Sequence, residues 1–157
     1  MKKFFLVFGI VSACLIVIAG VIIFVVLRSG LKLDSESKAY VDRVVPLIIT
    51  SWNSKDLLDN ASPEFLKTVT SAEIDSMFKM LSEKLGKCKE YKGSKGDSNQ
   101  SITSKEGMKT TAFYTANVVL EKADAVVSMR LVRHDGKWQV FQFSVNSKAL
   151  LQSLEKK

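Results

Sequence analysis

The sequence predicts an α+β domain behind a hydrophobic N-terminal helix, and three observations carry that expectation. An uncharged run of 24 residues, Phe4 to Leu27, lies near the start of the chain. Apolar residues at helical spacing govern the stretch from 34 to 86. Alternation of period two governs the stretch from 109 to 146. Helices first and strands second predict helices packed on one face of a curved antiparallel sheet. The 157 residues fit one domain and an appendage. The expected bounds are 1–32 for a transmembrane signal-anchor with short flanks and 33–157 for the domain.

Within Phe4–Leu27, 18 residues are Phe, Leu, Ile or Val. A helix of that length crosses a hydrocarbon core of about 30 Å with some tilt. At roughly 0.3–0.6 kcal/mol per strongly apolar residue, insertion is favoured by about 5–11 kcal/mol. The expected partner of residues 4–27 is therefore the lipid bilayer. Two rival readings stand beside it. A cleaved signal peptide has an apolar core of about 7–15 residues before a small-residue site, whereas this run continues well past any such site. Val11-Ser12-Ala13-Cys14 resembles a lipobox with Cys14 as the acylated residue. Against that, Leu15 to Leu27 follow where a polar tether is normal. Lys2 and Lys3 on one flank nearly balance Arg28, Lys32 and Lys38 on the other. The short basic segment leading into an apolar core has the form of a secretory signal-anchor, which predicts a cytoplasmic N-terminus and a domain on the far side.

Residues 1–32 hold four basic and no acidic residues, leaving +3 of the overall +7 for the rest. Nucleic-acid binding calls for a dense basic stripe with interleaved aromatics. The nearest approach is Lys84, Lys87, Lys89, Lys92 and Lys95, broken by Glu83 and Glu90, and it reads as a lysine-rich edge strand. No nucleic-acid partner is expected. Cys14 and Cys88 cannot easily meet, so the domain must rest on its core, with Cys88 as a small, mostly apolar residue.

Asp34 or Ser35 can cap a helix bearing Val41, Val44, Val45, Ile48 and Trp52 on one face, with Pro46 kinking or dividing it. Ser62-Pro63-Glu64 starts a second helix. Ser71 starts a third, with Ile74, Met77, Phe78, Leu81 and Leu85 on its stripe and Gly86 as its stop. Ser94–Ser104 reads as a loop. Strands follow at about Lys109–Glu121, Asp124–His134 and Lys137–Asn146, the last two joined by Asp135-Gly136. Ser147–Lys157 reads as a short terminal helix or tail.

That turn pairs Arg133 with Trp138 and Leu131 with Val140. A Lys122-Ala123 turn pairs Tyr114 with Leu131 and Val118 with Val127. One face then collects Ala112, Tyr114, Ala116, Val118, Leu120, Val127, Met129, Leu131, Trp138 and Val140 as core. The other face carries Phe113, Arg130, Phe141, Phe143 and Val145, with Arg130 opposite Phe141 and Ser128 opposite Phe143. Such an apolar second face marks a candidate interface.

Trp52-Asn53, Ser-Pro-Glu, a helix ending Leu85-Gly86, and long strands joined by Asp135-Gly-Lys-Trp138 together resemble the nuclear transport factor 2-like (cystatin-like, cone-shaped) superfamily. The resemblance covers residues 35–147 and is closest to small bacterial envelope members. It implies a cone-shaped α+β fold, frequent dimerisation through the sheet, and residence at the bacterial inner membrane with the domain periplasmic or extracellular. It decides little about activity, because that superfamily includes enzymes, binding proteins and scaffolds.

Enzymes of that superfamily place His, Asp or Tyr inside the cone. Here the only histidine, His134, abuts the hairpin turn on the non-core face, and Tyr114 reads as a buried tyrosine with a satisfied hydroxyl. Asp42 and Asp75 read as solvated. Two triplets, Asn60-Ala61-Ser62 and Asn99-Gln100-Ser101, match the glycosylation pattern, which matters only in a eukaryotic secretory host. Neither a metal-ligand spacing, nor a phosphate loop, nor a nucleophile beside a base is seen, so no catalytic residue, metal or cofactor is expected. The leading expectation is a non-catalytic envelope interaction or scaffold domain, homodimeric or bound to an envelope protein. The alternatives are a binder of a small apolar ligand in the cone and, behind it, an enzyme.

Overall fold

The computed structural model describes residues 2–103 and 107–155, with side chains described for 17–24, 28–101 and 109–152. The chain divides into two compact units, Met1–Leu33 and Asp34–Lys157.

Helix α1 runs unbroken over Lys2–Ser51 and contributes to both units. Of the first unit's side chains, Val17, Ile18, Val21, Ile22, Ile23 and Phe24 are exposed, and the Arg28 guanidinium stands 5.6 Å from the Phe24 ring. Among the described residues no helix is long and apolar enough to cross a membrane. The expected span Phe4–Leu27 falls largely outside the residues whose side chains are described.

The second unit is α+β, with helices packed on a four-stranded antiparallel sheet of order β1-β2-β3-β4. After α1 come α2 (Ser54–Leu58), α3 (Pro63–Leu66) and α4 (Ser71–Leu85). The strands are β1 (Cys88–Thr103), β2 (Gly107–Leu120), β3 (Asp124–His134) and β4 (Lys137–Asn146), and α5 spans Lys148–Glu155.

The expected apolar stripe of α1 is buried in full at Val41, Val44, Val45, Ile48 and Trp52. Pro46 lies inside the helix and does not divide it. Neither Asp34 nor Ser35 caps it, since the helix already runs through from Lys2. Trp52 ends it with φ 48°, and its indole N–H donates to the Gly86 carbonyl at 2.8 Å. The Trp52, Phe78 and Phe143 rings pack edge-on in series at 5.6 and 6.1 Å. Helix α4 carries a full capping box between Thr70 and Glu73, and Gly86 stops it with φ 76°. Ser62 caps α3 by accepting from the Phe65 N–H.

Asp135 and Gly136 both have positive φ, the conformation of a type I′ hairpin turn. The β3–β4 register begins as expected, with His134 opposite Lys137 and Leu131 opposite Val140. The β2–β3 register differs from expectation by two residues, with Tyr114 opposite Met129 and Val118 opposite Ala125. The cause is local. Glu121 and Lys122 donate their N–H groups to Lys87 and Leu85 at the end of α4, so they cannot close a tight hairpin. An even shift keeps every side chain on its face, and all ten expected core residues are buried.

Ser94–Thr103 is strand rather than loop. Its polar sequence carries no strand period of its own; pairing with β2 and contacts from α1 hold it. Asp34 Oδ1 accepts from the Ser98 N–H and hydroxyl. Asp42 Oδ1 accepts from the Ser94 N–H, the Ser94 hydroxyl and the Tyr91 hydroxyl, while Lys38 donates to Oδ2. Asp42 is therefore a docking residue and not a solvated one; Asp75 is exposed. These carboxylates occupy backbone donors of an edge strand, a position otherwise open to pairing with another chain.

Burial alone would raise the Asp42 carboxyl, but hydrogen bonds from Lys38, Ser94 and Tyr91 outweigh it and lower it to about 2. A folded value below the unfolded 3.8 gives stability that is complete above about pH 4 and lost as pH falls toward 2. The melting temperature of the wild-type domain should thus fall more steeply between pH 4 and 2 than that of Asp42→Ala. Equal slopes would remove Asp42 from the acid response.

Candidate functional site

The sheet face turned away from the helices holds the candidate surface. Cross-strand pairing sets two rows on it: Asp97–Phe113–Arg130–Gln142, and beside it Lys95–Thr115–Ser128–Ser144. Phe113 is 47% exposed, and the Arg130 guanidinium lies 5.8 Å from its ring centroid. Lys109 stands 5.9 Å from the half-buried Phe141 ring. Each contact lays a cation over an aromatic face. Val126, on the same face, is 37% exposed.

Two of the five expected interface residues belong elsewhere. Between Leu131–Val140 and Arg130–Gln142 the register slips by one, and Phe141 is the extra residue of a β-bulge. Beyond it Met129 faces Phe143 and Val127 faces Val145. The bulge thereby turns Phe143 and Val145 to the core side, where Phe143 is 8% exposed and packs on Phe78. Phe113, Arg130 and Phe141 keep the outer face.

The other residues weighed for chemistry are engaged. The Tyr114 hydroxyl donates to the Asp34 carbonyl at 3.1 Å and lies 2.9 Å from the buried Ser37 hydroxyl. Burial, more than any neighbour, raises its pKa. His134 Nε2 sits 2.9 Å from Glu64 Oε1, a partner 70 residues earlier. Asn60 of the first glycosylation triplet donates to the Asp56 carbonyl and accepts from Tyr40. Burial pushes the Tyr40 hydroxyl up to about 12, partly offset by Arg43. Cys88 is a free, partly buried cysteine, and burial raises its thiol. Among the described residues no group of three or more His, Cys, Asp or Glu could hold a metal. Between helices and sheet, Ile48, Phe78, Tyr114, Met129 and Leu131 are fully buried.

Long-range pairings such as Asp34–Ser98 and Glu64–His134 leave no local trace in sequence. A second bulge did have a signal. Lys92 and Gly93 together oppose Asn117, with Gly93 at φ 80°, and a glycine inside a strand often marks a bulge. Comparison with protein-family models, curated proteins and solved structures found no match for this chain.

Proposed function

We propose that this chain is a membrane-anchored, non-catalytic interaction module that binds a second copy or another envelope protein through the outer sheet face around Phe113 and Arg130. The observation that carries the reading is Phe113, left 47% exposed on the outer face of the sheet. A half-exposed aromatic under an arginine is the pairing that anchors binding surfaces, where aromatic and Arg side chains are enriched. The apolar run Phe4–Leu27 supports the anchor, with the N-terminus in the cytoplasm and the domain outside. The resemblance to the nuclear transport factor 2-like superfamily belongs to the same proposal and rests on the sequence features and the helix-on-sheet layout.

The test is a photo-crosslinking residue at position 113 of the full-length chain in intact bacterial cells, followed by an alkaline wash of the membranes. The expected result is a discrete adduct in the washed membrane fraction, formed from position 113 and not from Asp75, which is exposed on α4. Protein released by the wash removes the anchor. An adduct pattern the same from both positions removes the interface.

A further inference from the structure

A hollow of about 620 Å³ opens beside α5, between that helix and the adjoining ends of β2, β3 and β4. Its volume lies in the range of small-molecule sites, and its lining is mainly apolar with a few polar groups, as such sites require. Val119, Val126, Ala149 and Leu151 supply apolar lining, and Leu151 is 61% exposed. Lys92 and Lys148 also line it, and neither forms an ion pair among the described residues. Lys92 belongs to the bulge opposite Asn117, itself a lining residue. Bulges commonly re-aim a side chain beside a site.

We infer that this hollow is a binding site for a single-chain acyl carboxylate, one whose lining includes neither Phe113 nor Arg130. The two lysines and Asp124, the charged groups in the lining, sum to one positive charge. A monoanionic head balances that charge, and an acyl chain covers Val126 and Leu151, whose exposure otherwise forfeits burial at about 25 cal/mol per Å². The acyl tail gives the apolar lining an occupant that a free anion would not. The head gives the lysines a partner that a neutral hydrocarbon would not.

The test uses full-length protein in phosphatidylcholine nanodiscs, a diazirine-bearing fatty acid, and peptide mapping by mass spectrometry. Label is expected on peptides spanning 119–126 and 146–151, in addition to any within 4–27. It should drop severalfold in Lys92→Glu/Lys148→Glu and in Leu151→Arg. The lysine pair is exposed, so its variant keeps the fold and the test valid even if Leu151→Arg disturbs α5. Label confined to 4–27, or label unchanged in the lysine variant, overturns the site. Equal labelling by the corresponding methyl ester overturns the carboxylate head. The crosslink from position 113 is independent of all three outcomes.

Discussion

Phe143→Ala is expected to destabilise the domain by about 3–5 kcal/mol, the range for truncating a buried phenylalanine. Its ring is 8% exposed and closes the edge-on series with Phe78 and Trp52, so truncation opens a cavity where three elements meet. Against a total stability of about 5–15 kcal/mol, that loss is roughly a fifth or more of the whole. Phe141→Ala, two residues away, should cost less than half as much, because its ring is half-buried on the outer face under Lys109. Without the bulge the two would share a face and lose similar amounts. Urea denaturation of residues 34–157 measures both; equal midpoint shifts, or a larger shift for Phe141→Ala, would show that the bulge is misplaced.

Gly96→Ala should cost about 3 kcal/mol or more, placing it among the steric substitutions that destabilise most. A Cβ there would stand 1.9 Å from the Phe113 carbonyl oxygen and 2.8 Å from Tyr114 Cα. Both are backbone atoms, so relief requires β1 to separate from β2 rather than a side chain to turn. Gly93→Ala meets nothing within 4 Å, and only its φ of 80° resists a side chain, a cost of about 1–2 kcal/mol. Hydrogen exchange should show β1 amides deprotected in Gly96→Ala and protected in Gly93→Ala. Protected β1 amides in both would mean that the close approach is absent.

What was legible in the sequence is what periodicity and turn chemistry write locally. Asp135-Gly136 set the β3–β4 turn, Ser62-Pro63 the start of α3, and Gly86 the end of α4. The ten core residues followed from alternation, and the two-residue error in β2–β3 did no harm because alternation repeats every two. The bulge at Phe141 is a one-residue error, and one residue reverses the face. Nothing in Val140-Phe141-Gln142-Phe143 announces it: no glycine marks the spot, and either parity leaves a phenylalanine inside. Asp42 reads as solvated in the sequence because its strand partners Tyr91 and Ser94 lie 49 and 52 residues away. The candidate surface was accordingly legible at Phe113, Arg130 and Phe141, which precede or sit at the bulge, and illegible at Phe143 and Val145 beyond it.

The two aspartates of α1 also act as a gauge of length. Asp34 and Asp42 are eight residues apart on a helix, about 12 Å at 1.5 Å per residue. Their partners Ser98 and Ser94 are four residues apart on a strand running the opposite way, about 13 Å at 3.3 Å per residue. The two spacings agree to within the tolerance of a hydrogen bond, so both pins seat together or not at all. Sliding α1 by one turn would move it about 5.4 Å along β1, well beyond the reach of a 3 Å contact, and would unseat both at once. The pins thereby help to fix the axial position of that helix against the sheet edge.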